Sequence, residues 1–199
     1  MKIGVLGGTF DPVHVGHLIL AEEACYQLEL TRMLWVLTPD PPHKTGKTIL
    51  DWHERWRLLE LAIAGNEAFA LCDVDTRRPP PYYAVETLAI LKKKYPSDQL
   101  IYIIGGDSLR DLPTWYHPGK LIDICDGLGV MMRLDADIDT QNLEMFLPGI
   151  EKKLLSISAR PIDISSSGIR SRIADGGPFR YFLPSAVYEY IQTNKLYLV

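Results

Sequence analysis

Residues 7–17 read Gly-Gly-Thr-Phe-Asp-Pro-Val-His-Val-Gly-His, directly after the unbroken apolar run of residues 3–6. An apolar run without polar interruption at this length is a buried strand. Gly7 and Gly8 remove side chains where that strand ends, so backbone N–H groups can approach a ligand closely. Pro12 stiffens the turn. From about His14 the apolar positions take helical spacing, with Leu18, Ala21, Ala24, Cys25 and Leu28 on one face. Strand, glycine turn and helix start together make an anion site, because the helix dipole and its unsatisfied N–H groups favour negative charge there. His14 and His17, three residues apart, project to one side of that helix start.

Working outward, residues 33–37 form a second apolar run, so the first 37 residues make a strand–helix–strand unit with a parallel pair and a right-handed crossover. Further strands are expected at 68–74, 100–104, 127–132 and 154–158. Asp51 caps a helix reaching about residue 64, with Trp52, Trp56, Leu59 and Ile63 on one side. A helix at 85–94 turns Val85, Leu88 and Leu91 inward and ends in Lys92, Lys93 and Lys94, which suit its dipole. Pro118 opens a short helix to about residue 124, Ser165, Ser166 and Ser167 offer caps to one reaching residue 174, and Pro184 precedes a last one ending near residue 193. Residues 134–149, acidic at their start and weakly patterned, are placed as a peripheral insertion. The alternation predicts an α/β fold: a doubly wound, Rossmann-like parallel sheet with helices on both faces and a small C-terminal helical extension, in one domain over residues 1–199. The stretches 7–17, 105–108 and 164–170 each follow a strand, so all three face the carboxyl edge of the sheet, where such folds bind ligands.

Composition bounds the function. A net charge of −4 gives no bulk attraction to nucleic acid or an anionic membrane, so any phosphate site must be built locally. There is no apolar run long enough to span a membrane and no signal-peptide pattern. Cys25, Cys72 and Cys125 are odd in number, far apart and in apolar surroundings, as expected of reduced core residues in a cytoplasmic protein. A homo-oligomer is left open beside a monomer.

Several residues carry two readings each. His14 and His17 suit phosphate contact, structural packing or metal ligation, although zinc needs more ligands and none stands near in sequence. Gly46-Lys47-Thr48 is not a Walker phosphate loop, because Pro41 occupies the place of its first glycine. Adjacent Gly7 and Gly8 likewise exclude the G-x-G-x-x-G fingerprint. Lys44, beside Pro41, Pro42 and His43, is either a phosphate clamp on a stiffened loop or a solvated lysine. Asp107, after Gly105 and Gly106, is either a ribose acceptor or a helix cap. Trp115 and Tyr116 either stack on a flat heterocycle or pack in the core. Ser165 to Arg170 is either a second phosphate-binding helix start or a capped helix with a surface arginine. Arg77 and Arg78 are read as solvated charge.

Residues 8–17 resemble the T/H-x-G-H signature of the nucleotidyltransferase superfamily, and Ile164-Ser165-Ser166-Ser167-Gly168-Ile169-Arg170 resembles its second signature. Pro-Pro-His-Lys at 41–44, Ile-Gly-Gly-Asp-Ser-Leu at 104–109, Pro-Thr-Trp-Tyr at 113–116 and Leu196-Tyr197 are similar to the bacterial nicotinate-nucleotide adenylyltransferase family, over nearly the whole chain. The resemblance implies adenylyl transfer from ATP to nicotinate mononucleotide, giving deamido-NAD and pyrophosphate. It makes His14, His17, Lys44 and Arg170 the catalytic set, with His17 nearest the reacting phosphorus. It assigns ATP contacts to Gly7, Gly8, Thr9, Phe10, Gly16, Gly105, Asp107, Ile164, Ser166 and Ser167. It assigns mononucleotide contacts to Lys44, Tyr83, Ala84, Thr87, Trp115 and Tyr116, with Trp115 on the pyridine ring. Mg²⁺ arrives with ATP, and the protein itself holds no metal. The family commonly shows Ser-Tyr-Thr where this chain has Tyr82-Tyr83-Ala84, so a hydroxyl is missing in the region that reads the pyridine carboxylate. Nicotinamide mononucleotide or phosphopantetheine is the alternative acceptor, and a nucleotide-binding sensor without catalysis is the alternative class.

Overall fold

In the computed structural model, residues 1–41, 49–132, 140–159 and 162–198 are described. Six parallel strands form one sheet: β1 (Lys2–Gly8), β2 (Arg32–Leu37), β3 (Phe69–Cys72), β4 (Gln99–Gly105), β5 (Gly127–Met132) and β6 (Leu154–Ser158), in the order β3-β2-β1-β4-β5-β6. The helices are α1 (Val15–Gln27), α2 (Trp52–Ile63), α3 (Ala84–Lys94), α4 (Gly106–Asp111), α5 (Pro118–Ile124), α6 (Thr140–Phe146), α7 (Ser166–Ala174) and α8 (Ser185–Thr193). The winding reverses between β1 and β4, where Leu6 is level with Ile103. That reversal opens a crevice at the carboxyl ends of β1 and β4.

Strand alternation sorts the core into two layers. Leu6, Met33, Trp35, Leu37, Ile101 and Ile103 face one side and pack with α1, α2, α7 and α8. Val5, Leu34, Val36, Leu100, Tyr102 and Ile104 face the other and pack with α3, α4 and α5. The doubly wound sheet expected from the sequence is therefore present, and its C-terminal helices are part of the first layer.

Three expectations need correction. The strand expected at 68–74 is only Phe69–Cys72, because turn hydrogen bonds take over from Asp73, whose carbonyl accepts from the Arg77 N–H at 3.1 Å. The inward face of α2 is Arg55, Leu58, Leu59 and Ile63, while Trp52 and Trp56 are only partly buried. The helix is turned to bring an arginine inside. Residues 134–149 are not peripheral where they are described: Leu143 and Leu147 are buried in the second layer, beside Ile150 just after the segment. Residues 134–139 lie outside the described residues.

Candidate active site

The turn after β1 is held by close packing. Phe10 has a left-handed backbone (φ 47°), and its ring folds back under the strand end, edge-on to His17 at 5.1 Å and tilted against Trp35 at 5.5 Å. A Cβ on Gly8 would meet that ring at 2.8 Å, so the folded-back phenyl requires glycine there. A Cβ on Gly16 would lie 3.0 Å from His14 Nδ1, which explains the small residue between the two histidines.

His14 is the residue that caps α1, and the His14 and His17 rings stack with centroids 3.7 Å apart. The His14 backbone N–H donates to His17 Nδ1 at 3.2 Å. Nδ1 is thus an acceptor, and the ring proton of His17 sits on Nε2, which makes that atom a donor. His14 is 6 % exposed and its Nδ1 has no hydrogen-bond partner among the described residues. Burial pulls its pKa down to about 4, so its imidazole is neutral at physiological pH.

Polar side chains, one of them fully buried, brace the turn through its carbonyls and the Asp11 carboxylate. Arg55, 1 % exposed, donates to the carbonyls of Thr9 at 2.7 Å, Thr38 at 3.0 Å and Leu50 at 2.8 Å, and also to that of Pro39. Arg170 donates to the Asp11 carbonyl at 2.6 Å and lies 3.5 Å from the Asp11 carboxylate. The Ser166 hydroxyl donates to the Pro12 carbonyl at 2.8 Å, and the Tyr197 hydroxyl to Asp11 Oδ1 at 2.9 Å. Ser165 caps α7 by accepting from the Gly168 N–H at 3.1 Å. The stretches 7–17 and 164–170 therefore meet, as their shared edge requires.

Beside this turn lies a cleft of about 550 Å³. Gly7, Gly8 and Thr9 form one end, Val5, Val36 and Tyr102 its floor, and Tyr83, Ala84, Trp115 and Tyr116 the far end. The Tyr83 and Tyr116 rings stack at 4.2 Å, and Trp115 stands edge-on to Tyr102 at 6.3 Å. Thr87 also lines the cleft, but its hydroxyl is committed: it donates to Asp75 Oδ1 at 2.8 Å. Asp75 in turn accepts from Arg78 Nε at 2.9 Å, and Arg78 also reaches the Pro81 carbonyl and Glu86. Burial pushes the Asp75 carboxyl up, and the bonds from Thr87 and Arg78 pull it back. Arg78 is thus no solvated charge; its side chain is 13 % exposed because it is the counter-ion of a buried carboxylate.

The structure brings Gly7, Gly8, Thr9, Tyr83, Ala84, Thr87, Trp115 and Tyr116 to one cleft. Asp107 stands apart: it lies in the first turn of α4, 81 % exposed and paired with Arg110, while its neighbours Ser108 and Asp111 line the cleft. Gly105 caps α4 and a Cβ there would meet nothing. Ile164 packs on the first core layer, and the Ser167 hydroxyl contacts that of Ser165 at 3.2 Å. Lys44 lies outside the described residues. Sequence reasoning missed Arg55, Asp11, Asp75 and Tyr197. For Arg55 a signal existed, an arginine three and four residues before Leu58 and Leu59 on an apolar helix face. No group of three or more His, Cys, Asp or Glu able to hold a metal occurs among the described residues, and no described helix is long and apolar enough to cross a membrane.

Comparison with known proteins agrees with this geometry. Residues 5–172 match the cytidylyltransferase-like family model. A probable nicotinate-nucleotide adenylyltransferase of Thermomicrobium roseum is 40% identical over 196 residues, covering 98% of this chain and 91% of that one. The nicotinate-nucleotide adenylyltransferase of Bacillus subtilis is 36% identical over 196 residues, covering 98% of each. Among solved structures, the Plasmodium falciparum nicotinic acid mononucleotide adenylyltransferase complexed with NaAD superposes with a TM-score of 0.78 at 19% identity, covering 98% of this chain and 97% of that one. That last likeness bears on the fold; the sequence relatives carry the assignment. By the family match and by identity over nearly its whole length, the chain belongs to the cytidylyltransferase-like family and, within it, to the nicotinate-nucleotide adenylyltransferases.

Proposed function

We propose that this protein transfers the adenylyl group of ATP to the 5′-phosphate of nicotinate mononucleotide, producing deamido-NAD and pyrophosphate in NAD biosynthesis. One observation carries the reading: a glycine turn crowned by two stacked imidazoles runs into a cleft whose far end is aromatic. The first end suits a triphosphate and the second a flat pyridine ring.

The mononucleotide phosphate is already anionic, so its oxygen attacks the α-phosphorus of ATP without a catalytic base. The new P–O bond forms as the bond to the pyrophosphate oxygen breaks. Catalysis is then positioning plus stabilisation of charge on the α-phosphate and the leaving group. In this reading His17 Nε2–H donates to an α-phosphate oxygen, and neutral His14 supports it. Backbone groups of Gly8, Thr9 and Phe10 line the phosphate path. Arg170 and the start of α7 face the outer phosphates, with Lys44 closing from the loop. Trp115 holds the pyridine, beside Tyr83 and Tyr116. ATP enters as its Mg²⁺ complex, the ion carried by phosphate oxygens. The cytoplasm as the site of action, and residues 1–199 as one working domain, belong to the same reading.

The test is direct. Purified protein with MgATP and nicotinate mononucleotide should release one pyrophosphate per deamido-NAD. Turnover confined to another acceptor would reassign the substrate, and nucleotide binding without turnover would make it a sensor. One observation favours a second acceptor, nicotinamide mononucleotide: Ala84 offers no hydroxyl to a pyridine carboxylate. The same assay run with both acceptors separates the two.

A further inference from the structure

We propose that Arg55 is a positioning residue for the transfer: by holding the Thr9 carbonyl inward it turns the Phe10 N–H outward onto the phosphate path. Arg55 is 1 % exposed and does not line the cleft. Its guanidinium spans four carbonyls from three chain segments: Thr9 after β1, Thr38 and Pro39 after β2, and Leu50 before α2. The Thr9–Phe10 peptide is trans, the cis bonds among the described residues being Asp11–Pro12 and Pro80–Pro81, so its C=O and N–H point in opposite directions. With the carbonyl fixed 2.7 Å from Arg55 in the interior, the N–H of the same peptide points away from Arg55, and Thr9 itself lines the cleft.

Two further facts agree. Among the described residues, no acceptor is bonded to the Phe10 N–H, although the Phe10 side chain is buried. The next two carbonyls of the turn are held as well, that of Asp11 by Arg170 and that of Pro12 by Ser166. The donor therefore points at its target before the nucleotide arrives, and left-handed Phe10 is fixed between pinned neighbours. Only a planar fork with five N–H groups can satisfy this set; the single ammonium of lysine keeps the charge and loses the span.

The inference rests on the nucleotide-phosphate reading of the turn, and the experiment separates the two. Wild-type turnover with MgATP and nicotinate mononucleotide tests the parent reading alone. Given that turnover, Arg55→Lys is compared for kcat, for both KM values and for melting temperature. The expected result is a kcat lower by about 100-fold, with KM for the mononucleotide within about threefold. A variant that melts lower yet keeps its kcat would show a merely structural arginine and overturn the proposal. If Arg55→Lys does not fold, amide spectra of the full wild-type chain decide. The Phe10 amide proton should exchange quickly in the free protein, then shift and become protected when a non-hydrolysable ATP analogue is added. A Phe10 amide already protected, and unmoved by the analogue, overturns it equally.

Discussion

In the proposed reading the groups offered to the phosphates at the glycine turn are main chain and two imidazoles, and Arg55, Ser166 and Arg170 hold that turn with hydrogen bonds to its carbonyls. At the far end of the cleft they are rings: Tyr83 lies on Tyr116, and Trp115 leans on Tyr102. The difference follows from the chemistry each end faces. Charge developing on a phosphate is stabilised by dipoles that do not reorganise during the reaction, so the turn must be rigid before the ligand arrives. A pyridine ring offers area and a π face, which aromatic side chains match with little demand on exact placement. Damage at the first end should therefore appear in kcat, and damage at the second in KM.

The largest effect is expected from His17→Ala. Removing the Nε2–H donor should lower kcat by about 100- to 1,000-fold, while directly measured ATP affinity changes by less than about fivefold. Equal losses in binding and turnover would erase the contrast between the ends.

Next is the pH dependence of stability. His14 takes up a proton near pH 6.5 when unfolded and near pH 4 when folded. Between those values the unfolded chain binds more protons, so folding stability falls as pH drops from about 6.5 towards 4. The total is about 3 kcal/mol. Unfolding free energies of the wild type and His14→Gln, compared across that window, should differ in slope; parallel curves would mean that His14 is hydrated.

Trp115→Ala sharpens the other side of the comparison. Losing one stacking surface should raise KM for the mononucleotide by about 10- to 100-fold and leave kcat within about threefold. A fall in kcat alone would place Trp115 in the chemistry. The smallest effect is a gain. Ala84→Thr restores a hydroxyl at the first residue of α3 and should raise the preference for nicotinate over nicotinamide mononucleotide by about 10-fold, read from the ratio of kcat/KM values. An unchanged ratio would assign that choice to backbone groups.

The two ends also differed in how far the chain alone disclosed them. The turn is local: strand, glycine pair, histidine cap and helix follow one another within residues 2–27, and each obeys a short-range rule of sterics or hydrogen bonding. The paired stretch at 164–170 was visible for the same reason. At the far end, Tyr83, Trp115 and Tyr116 were named from the resemblance, but the commitment of the Thr87 hydroxyl to Asp75 was not foreseen, because that bond spans 12 residues and depends on how a turn folds. Residues 134–149 looked peripheral since a short helix with one buried apolar position and the turn after it is too weak a pattern to disclose Leu143 and Leu147 as core.

From the sequence alone came the doubly wound sheet, the edge on which ligands bind and the histidine-capped glycine turn, because apolar periodicity and backbone sterics act between near neighbours. The tertiary structure alone decided which charges were turned inside: Arg55 on four carbonyls, Asp75 under Arg78, and Asp11 under the Tyr197 hydroxyl. A charged side chain is buried only where distant segments converge to supply its partners, and no stretch of sequence contains that convergence.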